Sequence, residues 1–207
     1  MPRFETIHLY RMTHIQNIPH ILRHGITHSS SPNANRHFVP IGDNSFILTR
    51  ERRILECGRR LGEYIPFYFG TRMPMLYVIQ RGYNGVNPTS GKDIVYCVSS
   101  VQKIIEANLD FQFTDGHAVD LLSSQYGRED IQRIGEIIDW NAIEAKFWKD
   151  ENDLDLKRRK EAEFLVLGDI PPSSVLGYVV YDEAAKETLT KFGVSEGKIA
   201  VRPQYYF

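Results

Sequence analysis

The apolar run Phe164-Leu165-Val166-Leu167 constrains this chain more than any other stretch, because of what stands on either side of it. Four cations, Lys157-Arg158-Arg159-Lys160, lead into Glu161-Ala162-Glu163, and Gly168-Asp169 close the run. An apolar run of that length, bounded by turn formers, predicts a short buried strand. Glu163 then stands at the mouth of that strand, held by rigid structure with its head group in reach of a cleft. Glu161 and Glu163 lie two apart, and in an extended chain both point to one face. The residues alone therefore leave both as candidate catalytic carboxylates. The same stretch also reads as a charged linker feeding a core strand.

The rest of the chain predicts short strands interleaved with short helices. Ile7–His14 alternates as a strand, and Ile15, Ile18, Ile21 and Leu22 recur at helical spacing until His24-Gly25 ends that helix. Ser29–Asp43 is polar and interrupted by Pro32 and Pro40, which predicts a long loop of the kind that usually carries function. Thr49–Tyr64 predicts a helix carrying Arg50, Arg52, Arg53, Arg59 and Arg60. Further strands are expected at Ile65–Phe69, Asp93–Val98, Phe111–Thr114, Val175–Tyr181 and Lys198–Pro203. Helices are expected at Val101–Ala107, Ile131–Ile138 and Glu183–Lys191. With no regular period and no shift in composition, the expectation is a single α+β domain spanning 1–207.

Several function classes are disfavoured. A net charge of −1 means that any nucleic-acid surface must be a local patch. Cys57 and Cys97 stand apart without CxxC spacing, which fits a reduced, cytoplasmic protein better than a disulfide framework or a zinc site. No signal peptide opens the chain and no run approaches the roughly 20 apolar residues of a membrane span. His20 and His24 share a helix face but have no third ligand nearby, so no metal is expected. GxGxxG, GxxxxGK[ST] and GxSxG are all absent. The arginine cluster reads either as a solvated helix face offset by Glu51, Glu56 and Glu63 or as an anion-binding face. Tyr64, Phe67, Tyr68 and Phe69 follow it directly, and cations beside aromatics suit unpaired bases that stack while phosphates are neutralised.

Four separated blocks carry a resemblance. They are Tyr10–Gly25, reading Tyr-Arg-Met-Thr-His-Ile-Gln-Asn-Ile-Pro-His-Ile-Leu-Arg-His-Gly; Pro66-Phe67-Tyr68-Phe69-Gly70 with Met73-Pro74-Met75-Leu76; Phe113-Thr114-Asp115-Gly116-His117; and Glu161–Val166. In this order and spacing they resemble the DarT family, toxins of the DarTG toxin–antitoxin systems that ADP-ribosylate bases in single-stranded DNA. The resemblance covers nearly the whole chain. It implies an ADP-ribosyltransferase fold, with a split central sheet and NAD as co-substrate in the cleft between its halves. It places the catalytic glutamate on Glu163 and the arginine of the NAD-binding element on Arg50. Met12, Thr13 and His14 fall on the nicotinamide side, and Ile21 and Ser29 line the NAD site. The stretch from His117 to Glu163 becomes the loop that presents DNA, with His117, Tyr68 and Arg72 as candidate DNA contacts. The segment after Phe69 departs from the pattern, so thymine and guanine both stand as the modified base. A DarG-like macrodomain antitoxin is the implied partner, and no membrane is involved.

The chemistry of such a transfer suits a single carboxylate. Nicotinamide leaves NAD as a neutral molecule from a cationic precursor, so its departure needs no general acid, whereas glycosidases acting on neutral sugars normally need two carboxyl groups. A glutamate that holds the ribose hydroxyl stabilises the positive charge developing on the ribose carbon. The accepting base nitrogen must also lose a proton. The resemblance gives Arg50 that part, yet a guanidinium with a pKa above about 12 is an awkward base, and the alternative is an anchor for the pyrophosphate or the base. Lys157–Lys160 read as contacts to the DNA backbone. The competing readings are a transferase of the same fold acting on RNA or protein, and a non-catalytic nucleic-acid binding module.

Overall fold

The computed structural model describes residues 1–207, apart from the side chain of Asn44. The strands in chain order are β1 (His8–His14), β2 (Tyr64–Tyr68), β3 (Ile94–Ser100), β4 (Phe111–Thr114), β5 (Gln125–Tyr126), β6 (Glu163–Leu167), β7 (Gly177–Val180) and β8 (Ile199–Val201). They form one sheet in the order β5-β4-β6-β2-β1-β3-β7-β8, antiparallel except for the β7–β8 pair. The helices are α1 (Ile18–His24), α2 (Asn44–Arg52), α3 (Pro74–Arg81), α4 (Val101–Glu106), α5 (Ile134–Ile137), α6 (Trp140–Glu144), α7 (Leu156–Lys160) and α8 (Glu183–Lys191). This is the expected α+β architecture.

The sheet is split at its centre. β1 runs alongside β3 in register from His8 opposite Ser100 to His14 opposite Ile94, and β2 alongside β6 from Tyr64 to Tyr68. Between β1 and β2 only Tyr10 and Tyr68 are in register. Pro66 explains the seam. In an antiparallel strand a residue's N–H and C=O face the same neighbour, and the Pro66 carbonyl faces β1, where it accepts from Arg11 Nη1 at 2.9 Å. Proline has no N–H to return, so the ladder stops and a guanidinium spans the gap. Two half-sheets result, β5-β4-β6-β2 and β1-β3-β7-β8.

Both faces of the second half-sheet are covered. Val95 and Cys97 of β3 pack into the main core with Ile18 and Ile21 of α1, Val101 and Ile104 of α4 and Leu189 of α8. Ile94 and Tyr96 pack on the other face against Leu76 and Ile79 of α3 and against Tyr206. A strand buried on both faces reads as the continuous apolar run that β3 shows. β6 is likewise fully buried from Glu163 to Val166, with Phe164 stacked against Phe111 at 4.8 Å.

Two expectations change. The helix expected over Thr49–Tyr64 is instead the shorter α2, started by Asp43, which accepts from Ser45 N–H, and ended at extended Arg53. The chain then reverses through Gly58, whose φ of +82° suits the turn, into an Ile54–Arg60 bridge and a 3-10 turn at Leu61–Glu63. Arginines assigned to one helix face are thus divided among a helix, a turn and a bridge. α3 lies where no element was assigned; Pro74 at its first position and left-handed Gly82 after its last residue are its start and stop signals. Among the described residues no helix is long and apolar enough to cross a membrane.

Candidate active site

The seam between β1 and β2 opens into two adjoining cavities, of about 360 Å³ and 210 Å³, that share Arg11, Phe38, Ile47, Arg50 and Pro66 in their walls. α2 lies across them, and Arg50 reaches down from it to Glu163. Alternation along β1 sends Thr13 into the larger cavity and Met12 into the smaller one. Ile21 of α1 and Ser29 of the following loop line the larger cavity, beside Asn17 and His20. Asn17 holds that wall together: its amide donates to Thr13 Oγ1 and to the Val39 carbonyl, and accepts from Val39 N–H. Tyr68 and His117 line the smaller cavity with Phe46 and Met75.

Glu163 is fully buried, and both of its oxygens are engaged. Oε2 accepts from Arg50 Nη1 at 2.7 Å and Oε1 accepts from the Ala118 N–H at 3.0 Å, with His117 Nε2 at 3.8 Å from Oε1. Its own N–H donates to Thr114 Oγ1 at the end of β4. The first residue of β6 is thereby held from both neighbouring strands and from the loop after β4. Arg50 Nη2 is buried and has no partner among the described residues, a free donor suited to an anion on a residue that lines both cavities.

Arg11 was not singled out from the sequence, although it alternates with Met12 and shares a face with Thr13. It stands in both cavity walls, and burial lowers its pKa to about 10, with the Arg50 charge acting in the same direction. Burial also lifts the Tyr68 hydroxyl far above its usual range, helped by the charges of Glu163 and Glu161.

Several expected residues lie elsewhere. His14 stands on the opposite face of β1 from Thr13 and caps the turn at Ile15, accepting from Gln16 N–H at 3.2 Å, so it is outside both cavities. Arg72 adopts a left-handed φ of 53° and turns toward the chain's end, donating to the Tyr206 carbonyl and lying 4.2 Å over the Phe207 ring. Glu161 does not share an extended segment with Glu163. It ends α7 at φ −91°, ψ 23°, so the alternation that would align the two carboxylates does not apply. Glu161 is buried, which raises its pKa, and it accepts no hydrogen bond from the described residues.

Two of the four cations before Glu161 hold the fold through ion pairs, and a third is buried at a cost. Arg158 binds Asp155, Asp115 and Ser123, and Arg159 binds Asp139, Asp153 and Asp155. Lys160 is buried and donates to the Ile143 carbonyl at 2.9 Å. Arg158 and Arg159 thereby tie α7 to the segments around Asp115, Ser123, Asp139 and Asp153. Burial lowers the Lys160 pKa from 10.5 to about 8, with the Arg72 charge acting the same way. An isosteric Lys160→Met is expected to stabilise the fold by about 1 kcal/mol at neutral pH. Below pH 8 the cation is present in both folded and unfolded chain and the burial cost is full; above 8 the folded chain sheds the proton first. The advantage of the methionine therefore shrinks as pH rises from 8 toward 10.5, which urea unfolding across that range will show.

Comparison with known proteins gives this geometry a setting. Residues 10–207 match the family model described as DarT, ssDNA thymidine ADP-ribosyltransferase. A DNA ADP-ribosyl transferase of Thermus sp. (strain 2.9) is 32% identical over 96% of this chain and 95% of its own length. A transferase–glycohydrolase fusion protein of Thermosipho africanus is 32% identical over 100% of this chain and 50% of its own length. Among solved structures, Thermus sp. 2.9 DarT in complex with ADP-ribosylated ssDNA superposes with a TM-score of 0.84 at 29% identity, covering 100% of this chain and 99% of the other. The same protein in complex with NAD+ gives 0.77 at 30% identity, with 100% of both chains covered.

Proposed function

We infer the working of this site from one premise: the chain belongs to the DarT family of single-stranded DNA thymidine ADP-ribosyltransferases. It transfers ADP-ribose from NAD to a thymidine base of single-stranded DNA and releases nicotinamide. The observation that carries the reading is the buried Glu163 of β6, paired with Arg50, which lines both cavities of the seam and retains an unpartnered donor. When bound, NAD supplies an ADP-ribosyl group on a leaving group that departs neutral.

Thr13, Ile21 and Ser29 hold the donor in the larger cavity, and Met12 stands at the passage to the smaller one. Arg11 and Arg50 face the pyrophosphate with forked donors. Glu163 accepts the ribose hydroxyl and stabilises the positive charge that grows at the anomeric carbon. Each Glu163 oxygen accepts one hydrogen bond and keeps a second lone pair for the ribose hydroxyl, while Arg50 meets the donor with its free Nη2. Tyr68 and His117 border the acceptor cavity, and an unpaired base reaches it where a paired one does not. Arg50→Lys keeps the charge and loses the fork; it is expected to cut kcat/KM by about 10²-fold, mostly through KM for NAD, read from initial rates.

The whole chain, 1–207, works as one domain in the cytoplasm, as the toxin of a toxin–antitoxin pair whose DarG-like macrodomain antitoxin removes the modification. The half-length match to a transferase–glycohydrolase fusion supports that pairing. The test is direct. Protein, NAD and a thymidine-containing oligonucleotide should yield a product one ADP-ribose heavier, with equimolar nicotinamide. The same sequence without thymidine, its RNA counterpart and protein acceptors should stay unmodified. NAD turnover without any DNA adduct would overturn the reading.

A further inference from the structure

The larger cavity is only as well shaped as the loop after α1 that forms one of its walls. Thr27, His28, Ser29 and Ala34 of that loop line it, with Glu51 and Gly62 among the other walls. The ends of the loop are fixed, by the Ile26–Ile170 bridge and by Asn17 holding Val39. We propose that Asp169 and His28 form a clasp between those ends, positioning the loop so that β6 governs the grip on NAD as well as the catalytic carboxylate. The inference rests on the reading of the larger cavity as the donor site.

Asp169 stands two residues beyond the end of β6, the strand that Glu163 opens. Its Oδ1 accepts from His28 N–H at 2.8 Å, and its Oδ2 accepts from Ser31 Oγ at 2.5 Å. One side chain thus holds the loop at two points, 141 and 138 residues away in sequence. Ser31 passes the hold onward, its Oγ accepting from Asn33 N–H at 3.0 Å. His28 carries the second half of the clasp. Its Nε2 lies 2.7 Å from the Gly62 carbonyl, which can only accept, so hydrogen sits on Nε2. Nδ1 keeps its lone pair and accepts from Ser30 N–H at 3.2 Å and from Ser30 Oγ at 2.8 Å. A ring held at both nitrogens cannot turn freely.

The same ring is a partition. A separate hollow of about 410 Å³ also has His28 in its wall, with Ser31, Arg59, Glu63 and Asp169. Without the bond to Gly62 the ring can swing, and the larger cavity loses part of its side. Two further side-chain bonds from the loop, Thr27 with His20 at 3.2 Å and Asn35 with Asn17 at 3.5 Å, run back to the start of α1. The clasp reaches instead to the end of β6 and to the turn after α2. Neither Asp169 nor His28 hydrogen-bonds Glu163 or Arg50, so the effect falls on donor binding and not on the chemical step.

Initial rates of nicotinamide release, with NAD and a thymidine-containing oligonucleotide varied in turn, test the clasp. Asp169→Ala and His28→Phe should each raise KM for NAD about tenfold, while kcat and KM for the oligonucleotide stay within about twofold. Ser31→Ala should give a smaller rise in the same direction. His28→Gln, whose amide can still donate to the Gly62 carbonyl, should recover most of the loss. The double variant should be less than additive, because either single change already frees the loop. A fall in kcat with KM for NAD unchanged, or additive effects without recovery in His28→Gln, would overturn the clasp. Ala34→Trp, which fills the larger cavity, separates this inference from the reading beneath it. If that variant leaves KM for NAD unchanged, the larger cavity is not the donor site and the inference falls with it. If it raises KM for NAD and Asp169→Ala does not, the clasp alone is wrong.

Discussion

Glu163→Gln should leave a folded protein whose transfer to single-stranded DNA is about 10³-fold slower than wild type. Glutamine matches the shape, can still accept from the Ala118 N–H and can still bond a ribose hydroxyl. What disappears is the negative charge, so the variant isolates the electrostatic share of catalysis. The loss should fall on kcat, because the charge matters most where positive charge develops. One side effect is predictable: Arg50, largely buried, loses its ion-pair partner and the unfolding midpoint drops. NAD supplies a substitute anion, so saturating NAD should restore more stability to the variant than to wild type. Adduct mass and thermal unfolding with and without NAD measure both. An adduct formed at the wild-type rate would remove Glu163 from the mechanism.

Gly25→Ala should unfold the protein or bring it close to unfolding. Gly25 ends α1 at φ +79°, ψ −166°, a region open essentially to glycine alone. A Cβ there would overlap the carbonyl oxygen of Ile170, part of a two-way bridge in which Ile26 and Ile170 exchange N–H···O bonds at 2.9 Å. Backbone strain of about 1–3 kcal/mol adds to the loss of a buried bridge whose bonds are each worth about 1 kcal/mol. The total of roughly 4 kcal/mol is a large part of the 5–15 kcal/mol that holds an ordinary domain folded. Gly197→Ala is the contrast: its Cβ meets nothing within 4 Å, and the change should stay within about 0.5 kcal/mol. Urea unfolding of the two variants distinguishes the cases, and equal midpoints would refute the packing argument. Because Thr27, His28 and Ser29 follow this bridge into the larger cavity, the same glycine also sets one wall of that cavity.

Short, punctuated apolar runs made most strands legible in the sequence. β1, β3, β4 and β6 lie where alternation or an apolar run between turn formers places them, since burial on one or both faces writes itself directly into residue type. The region from Arg50 to Arg60 was not legible. Arginine and glutamate fit a helix, a turn or a bridge equally well when their stems are solvated, and the turn at Cys57-Gly58 carried only one weak signal. Arg158 and Arg159 show the same limit, because whether a cation faces a phosphate or an aspartate depends on Asp115 and Asp139, 43 and 20 residues away. Spacing also misled at Glu161 and Glu163: the alternation rule assumes extended backbone, and the first of the pair still belongs to a helix. Arg11 escaped notice for a different reason, since the seam that exposes it arises from a missing N–H on Pro66 of another strand.

The seam at Tyr10 and Tyr68 has a consequence for how such an enzyme can diversify. Thr13, Ile21 and Ser29 line the larger cavity from the β1 side of the seam, Tyr68 and His117 line the smaller one from the β2 side, and Arg11, Arg50 and Pro66 are common to both. Among the described residues one register pair and the Arg11–Pro66 hydrogen bond tie β1 to β2, so sequence drift on the β4–β6 side leaves the β1 side of the larger cavity largely undisturbed. A lineage can therefore change the base it modifies by rebuilding the segment between β4 and β6, and inherit its grip on NAD intact.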